Sequence, residues 1–142
     1  MIYYTADLHL GHANIIKHCD RPFSSADDMD EHLISCWNAR VRSSDTVYIL
    51  GDLIFRSVAS PESYLERLSG KKHLILGNHD KDWVKKVDLS KYFVSVDRFA
   101  EISDGQHKIT LCHYPLISWN HIAKGSYMMP IPADLNSHTE NT

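Results

Sequence analysis

Residues 46–52, Thr46-Val47-Tyr48-Ile49-Leu50-Gly51-Asp52, run through five strand-forming residues into a glycine and then a carboxylate. Apolar character on successive positions marks a strand covered on both faces, the usual state of a parallel strand in an α/β protein. The same pattern occurs at residues 2–6, followed by Asp7, and at residues 72–76, followed by Gly77. Between the first two strands Met29, Leu33, Trp37 and Val41 recur every four residues behind Ser25, which predicts an N-capped amphipathic helix of about four turns. Between the second and third, Ser60, Pro61, Leu65, Leu68 and Gly70 predict a short helix with proline at its first position and glycine past its end. The order is β-α-β-α-β.

Further along, residues 92–96, 99–103 and 108–112 read as strands, the last two joined by Asp104-Gly105 as a two-residue hairpin turn. These three are assigned to a second, more antiparallel sheet. From Trp119 onward the periodicity is lost, so residues 1–120 form the expected domain and residues 121–142 an irregular segment or tail.

A chain of 142 residues, 43% hydrophobic, is long enough for one buried core. Its net charge of −3 argues against a broad nucleic-acid surface, which requires a basic face, yet leaves a small phosphorylated substrate or nucleotide open. The opening residues MIYYTADLHLGH carry neither a basic leader nor a sustained apolar run, so no signal peptide or membrane anchor is expected and the expected location is cytoplasmic. Cys19, Cys36 and Cys112 are odd in number and lack C-x-x-C spacing, which indicates free thiols.

In open α/β sheets ligands bind beyond the carboxyl ends of the strands. Asp7 and His9 follow the first strand, Asp52 the second, and Asn78, His79 and Asp80 the third; His113 follows residues 108–112. A single aspartate after a strand is usually a turn or cap residue, and a single histidine is usually structural. Metal-type donors after four strands, with Gly51 and Gly77 beside them, are hard to obtain from turn chemistry alone. Arg21 and Arg56 are the cationic candidates for phosphate oxygens, with surface solvation the competing reading for Arg56. His12 and Asn14 are candidate substrate contacts, Asn14 being equally suited to capping a short helix that ends near Cys19.

Through Asp7-Leu8-His9, Gly51-Asp52, Gly77-Asn78-His79-Asp80 and Cys112-His113, in that order and spacing, the chain resembles the calcineurin-like metallophosphoesterases. It is most similar to small bacterial and phage members that carry G-H-x-N-I-I and R-P-F, here residues 11–16 and 21–23. The resemblance implies a four-layer α-β-β-α sandwich of two mixed sheets. It also implies two divalent ions such as Mn, Fe or Zn: Asp7 and His9 on one, Asn78 and His113 on the other, and Asp52 bridging. A metal-bridging hydroxide would hydrolyse a phosphate monoester or diester, since paired cations lower the pKa of water from about 15.7 to about 7. His79 would assist the leaving oxygen, oriented by Asp80 or another carboxylate.

The family's closing G-H-x-H does not occur in this sequence. The expectation is therefore that the last strands are lacking, or that His138 or His121 stands in, with a weaker second metal site. An uncovered sheet edge would promote self-association. A degenerate member serving as a binding scaffold is the competing function.

Overall fold

The computed structural model describes residues 1–129. Two sheets pack against each other. The first contains β1 (Ile2–Thr5), β2 (Thr46–Leu50), β3 (Lys71–Ile75) and β4 (Phe93–Asp97), in that spatial order, all parallel. The second contains β5 (Phe99–Asp104), β6 (His107–Cys112) and β7 (Tyr127–Met129), with β5 antiparallel and β7 parallel to β6.

Three helices precede β3: α1 (Ala13–His18), α2 (Ala26–Arg40) and α3 (Pro61–Leu65). Helix α2 begins where its sequence says it should, because the Ser25 side chain accepts a hydrogen bond from the Asp28 amide. Its apolar stripe buries Met29, Ile34 and Trp37. With Tyr64, Leu65 and Leu68 from α3 and its trailing turn, Ile34 and Trp37 cover Val47, Ile49 and Leu74 on one face of the parallel sheet. Asp30 also lies on the buried side of α2, where its carboxylate accepts from the Gly11 amide at 2.9 Å and the Tyr64 hydroxyl at 3.1 Å. That pair of bonds ties α2 and α3 to the loop after β1. The opposite face of the sheet presents Leu50 and Ile75 to Ile109 and Leu111 of β6, forming a second apolar core between the sheets.

Several expectations need correction. Residues 92–96 were expected in the second sheet, but β4 pairs parallel to β3 as the edge of the first. As the edge strand it lacks the unbroken burial of the inner parallel strands: Phe93 is buried while Val94, at the register shift, is 63% exposed. The first sheet is therefore wholly parallel and only the second is mixed. The hairpin turn consists of Gly105 and Gln106, since Asp104 is already paired with His107. Gly105 adopts φ +58°, the left-handed backbone that such a turn requires. The α3 helix is only five residues long, and the Ser60 side chain makes no cap bond; its carbonyl accepts from Ser63 instead.

Past Trp119 the chain is not wholly irregular, because a single 3-10 turn (Ile122–Lys124) leads into β7. Beyond β4 this is the only helical turn among the described residues, so they hold three of the four expected layers: helices, parallel sheet and mixed sheet. No helix among them is long and apolar enough to cross a membrane. The three cysteines are free thiols, as their spacing indicated.

The intersheet core joins the two sheets through Leu50, Ile75, Ile109 and Leu111. Leu111 is fully buried there, so Leu111→Ala should cost about 2–5 kcal/mol in urea unfolding. Val58→Ala, at a fully exposed position, should change stability by no more than about 0.5 kcal/mol. Equal stability of the two variants would show that the second sheet does not pack as described.

Candidate metal centre

Parallel pairing brings the carboxyl ends of β1, β2 and β3 to one edge, and backbone bonds then join the loops that follow. The Asp7 amide donates to the Gly51 carbonyl at 3.0 Å, the His9 amide to the Asp52 carbonyl at 2.9 Å and the Leu10 amide to the Leu53 carbonyl at 2.9 Å. The loops carrying Asp7, His9 and Asp52 therefore form one ladder rather than separate turns.

Asp7, His9 and Asp52 each adopt φ +52°, in the left-handed region. For residues other than glycine this conformation costs about 1–3 kcal/mol and persists only where surrounding bonds enforce it. Here the enforcement includes Arg21, whose guanidinium donates to the carbonyl oxygens of Asp7 and Leu8 at 2.8 Å each. Arg21 was expected to grip phosphate oxygens. Its head group is instead turned onto the loop backbone, where it braces the two donors after β1.

Asp80 is also reassigned. It was expected to orient His79, but its buried carboxylate accepts from the amides of Asp52 and Gly77 at 2.8 Å, the Leu53 amide at 3.0 Å and the Trp83 indole at 2.7 Å. It is a positioning residue that locks the loop after β2 to the loop after β3. The His79 amide in turn donates to Asp52 Oδ1 at 2.9 Å.

At the centre, Asp7, Asp52 and His113 each place a donor atom within 4.8 Å of the others, and all three are buried. Asp52 Oδ2 lies 3.6 Å from His9 Nε2 on one side and 3.6 Å from His113 Nε2 on the other. His9 Nε2 is 3.9 Å from Asp7 Oδ1, and His113 Nε2 is 3.0 Å from Asn78 Oδ1. His113 arrives from the second sheet and is held by its other ring nitrogen, which lies 2.8 Å from the Leu50 carbonyl. That contact sets the Nδ1 proton toward the carbonyl and leaves Nε2 facing the carboxylates.

The glycines beside these donors let His113 and Asp52 lie directly against the backbone, where a side chain would collide with them. A Cβ on Gly51 would stand 2.4 Å from His113 Nδ1, and one on Gly77 would stand 2.3 Å from Asp52 Oδ1.

Burial, with His12, Arg21, His79 and His113 close by, brings the pKa of His9 down to about 3. His9 is thus a neutral imidazole near neutral pH and offers a lone pair rather than a positive charge. Burial pushes the Asp52 carboxyl above its ordinary range. Among the described residues, the ionic neighbours of Asp52 are imidazoles and neither lysine nor arginine. A buried carboxylate with neither lysine nor arginine beside it lacks a fixed compensating charge, and a divalent cation supplies one. The donor set fits such an ion.

Two flanking residues sit beside this centre. The half-buried His79 ring packs on Phe55 with centroids 4.2 Å apart and lies 5.6 Å from the His9 ring. His12, a candidate substrate contact from sequence, is buried with its Nδ1 3.0 Å from His9 Nδ1, against a candidate metal donor. Burial, then the nearby His79, lowers its pKa. Phe55, not anticipated from sequence, packs against both His12 and His79, and only its closeness to Asp52 along the chain could have indicated it.

Other expected residues lie elsewhere. Asn14 is exposed in α1 and caps nothing, the N-cap position being occupied by His12. His121 lines a recess with Lys108 and Thr110 on the second sheet, so it does not stand in for a missing donor at the cluster. His138 falls outside the described residues.

The likeness to known proteins follows the same lines. A solved structure of a protein of unknown function from Aquifex aeolicus superposes with a TM-score of 0.70 at 22% identity, over 96% of this chain and 91% of that one, which shows the shared fold. An uncharacterized protein of Methanocaldococcus jannaschii is 49% identical over 82 residues, 56% of this chain and 47% of its own length. The gene 66 protein of Mycobacterium phage D29 is 39% identical over 131 residues, 82% of this chain and 64% of its own length. The chain thus spans about half to two thirds of the length of these two relatives. The sequence pattern of calcineurin-like phosphoesterases matches residues 1–139, and the chain belongs to that family.

Proposed function

We propose that this chain hydrolyses a phosphate ester with two divalent ions that share Asp52. The observation carrying this reading is that Asp52 Oδ2 is 3.6 Å from both His9 Nε2 and His113 Nε2. A carboxylate oxygen between two imidazoles is placed to face two cations at once. Asp7 and His9 would hold one ion, and Asn78 and His113 the other. Manganese, iron and zinc all accept this mixture of oxygen and nitrogen donors. When bound, such ions supply an acidified water and a positive surface for the phosphoryl oxygens.

The remaining chemistry belongs to the chain. His79 opens onto a cavity of about 420 Å³ beside the centre and is placed to give a proton to a departing ester oxygen. Phe55, tilted at 50° against its ring with centroids 4.2 Å apart, would limit its approach. Asp80 and Arg21 hold the donor loops in their left-handed conformations, so that little reorganisation is needed on loading. A small phosphorylated molecule or nucleotide is the proposed substrate.

The deciding test uses metal-stripped protein resupplied with manganese, zinc, iron or magnesium, and nitrophenyl phosphate monoester and diester substrates. Metal-dependent turnover should appear, and Asp52→Asn should reduce it by about two orders of magnitude or more, the range for losing one preorganised charge-stabilising group. A folded protein without turnover in any metal would reject the enzymatic reading in favour of a binding scaffold.

A second test addresses Asp80, which touches none of the proposed ions. Asp80→Asn removes one acceptor oxygen from a four-donor site. Manganese affinity should fall about 10–100-fold, the usual effect of a supporting residue, while far-ultraviolet circular dichroism stays near that of the parent. Unchanged affinity would remove Asp80 from its positioning role.

A further inference from the structure

The turn after β3 divides its side chains between two cavities. Asp82 and Lys86 face the cavity that holds His79, which Arg56 and Glu62 also line, so two cations there are balanced by two carboxylates. Lys81 and Lys85 face a separate cavity of about 350 Å³, together with Gly77, Asn78, Arg98 and Tyr114. No aspartate or glutamate lines this second cavity. Among the described residues none of its three cations is ion-paired, although the chain as a whole carries a net charge of −3.

The cavity adjoins the candidate centre. Asn78, on its wall, is 3.0 Å from His113 Nε2, and the Tyr114 ring stands perpendicular to the His113 ring with centroids 5.1 Å apart. Three unneutralised cations around one recess attract an anion and hold it through charge-assisted hydrogen bonds. The scissile phosphate belongs at the carboxylate and imidazole centre, so these cations are positioned for a different group.

We infer that the substrate carries a second phosphate, seated by Lys81, Lys85 and Arg98 while the first lies at the centre. This rests on the phosphoesterase reading and narrows it to bisphosphorylated or polyphosphorylated molecules. Tyr114, 48% exposed at the same rim, offers an apolar face to the organic part between the two phosphates.

Two chromogenic esters differing only in that group provide the test: thymidine 5′-(4-nitrophenyl phosphate) with and without a 3′-phosphate. With the manganese-loaded full chain, the 3′-phosphate should lower KM about tenfold, the scale of one charge-assisted hydrogen bond. In the Lys81→Ala/Lys85→Ala/Arg98→Ala variant, altered only at exposed positions, the KM ratio should shrink to within about twofold. A ratio near one in the parent, or a tenfold ratio that survives in the variant, overturns the inference.

If neither ester is turned over, calorimetric binding of pyrophosphate and orthophosphate to metal-free protein separates the two readings. Pyrophosphate binding about tenfold tighter than orthophosphate, and lost in the variant, supports the cavity while the hydrolytic reading fails. Equal binding of the two anions that is lost in the variant also supports a cavity for one phosphate, whereas binding of neither anion, or binding that persists undiminished in the variant, overturns the cavity itself.

Discussion

A single carboxylate, Asp80, holds the functional end of this molecule together. Its two oxygens take hydrogen bonds from three backbone amides and one indole, drawn from the loops after β2 and β3 and from the turn at Trp83. The residue is completely buried, so each of those donors would be left unsatisfied without it, at a cost of about 1–3 kcal/mol per group. With these bonds made, the Asp52 amide and the Gly77 amide share one oxygen of Asp80, and the two loops cannot move apart without breaking the arrangement.

The strained backbone of the candidate centre follows from that constraint. Asp7, His9 and Asp52 occupy the left-handed region, which isolated peptides would leave. The ladder between the loops after β1 and β2, the Arg21 brace and the Asp80 clamp act on the same few residues and offset the strain. Side chains then project inward from positions where an ordinary extended loop would turn them elsewhere. The close approach of His113 to Gly51 and of Asp52 to Gly77 is part of the same arrangement, since any side chain at either glycine would displace them.

Around this rigid centre the molecule builds two unlike recesses from one turn. Residues 81 and 85 lie on one side of it, and residues 82 and 86 on the other, with Trp83 buried beneath. The anchoring of Trp83 by Asp80 therefore fixes both the donor loops and the direction in which the surrounding lysines point. Geometry at the centre and charge at its rim have a common cause.

Much of this was legible in the sequence. Apolar runs ending in Asp7, Asp52 and Gly77 identified the parallel strands and the edge at which donors collect, because strand burial and strand-end placement are local properties of chain pattern. The Ser25 cap and the stripe on α2 were readable for the same reason. The functions of Arg21 and Asp80 were not, since an arginine or aspartate near a centre looks the same whether it faces a ligand or the backbone. Only the folded arrangement of carbonyls and amides around each decides that. The sheet to which β4 belongs was likewise beyond local pattern, because an edge strand lacks the continuous burial that marks the inner parallel strands. Residue types and their order along the chain determined which donors exist; long-range hydrogen bonding, which joins loops far apart in sequence, decided which of them meet.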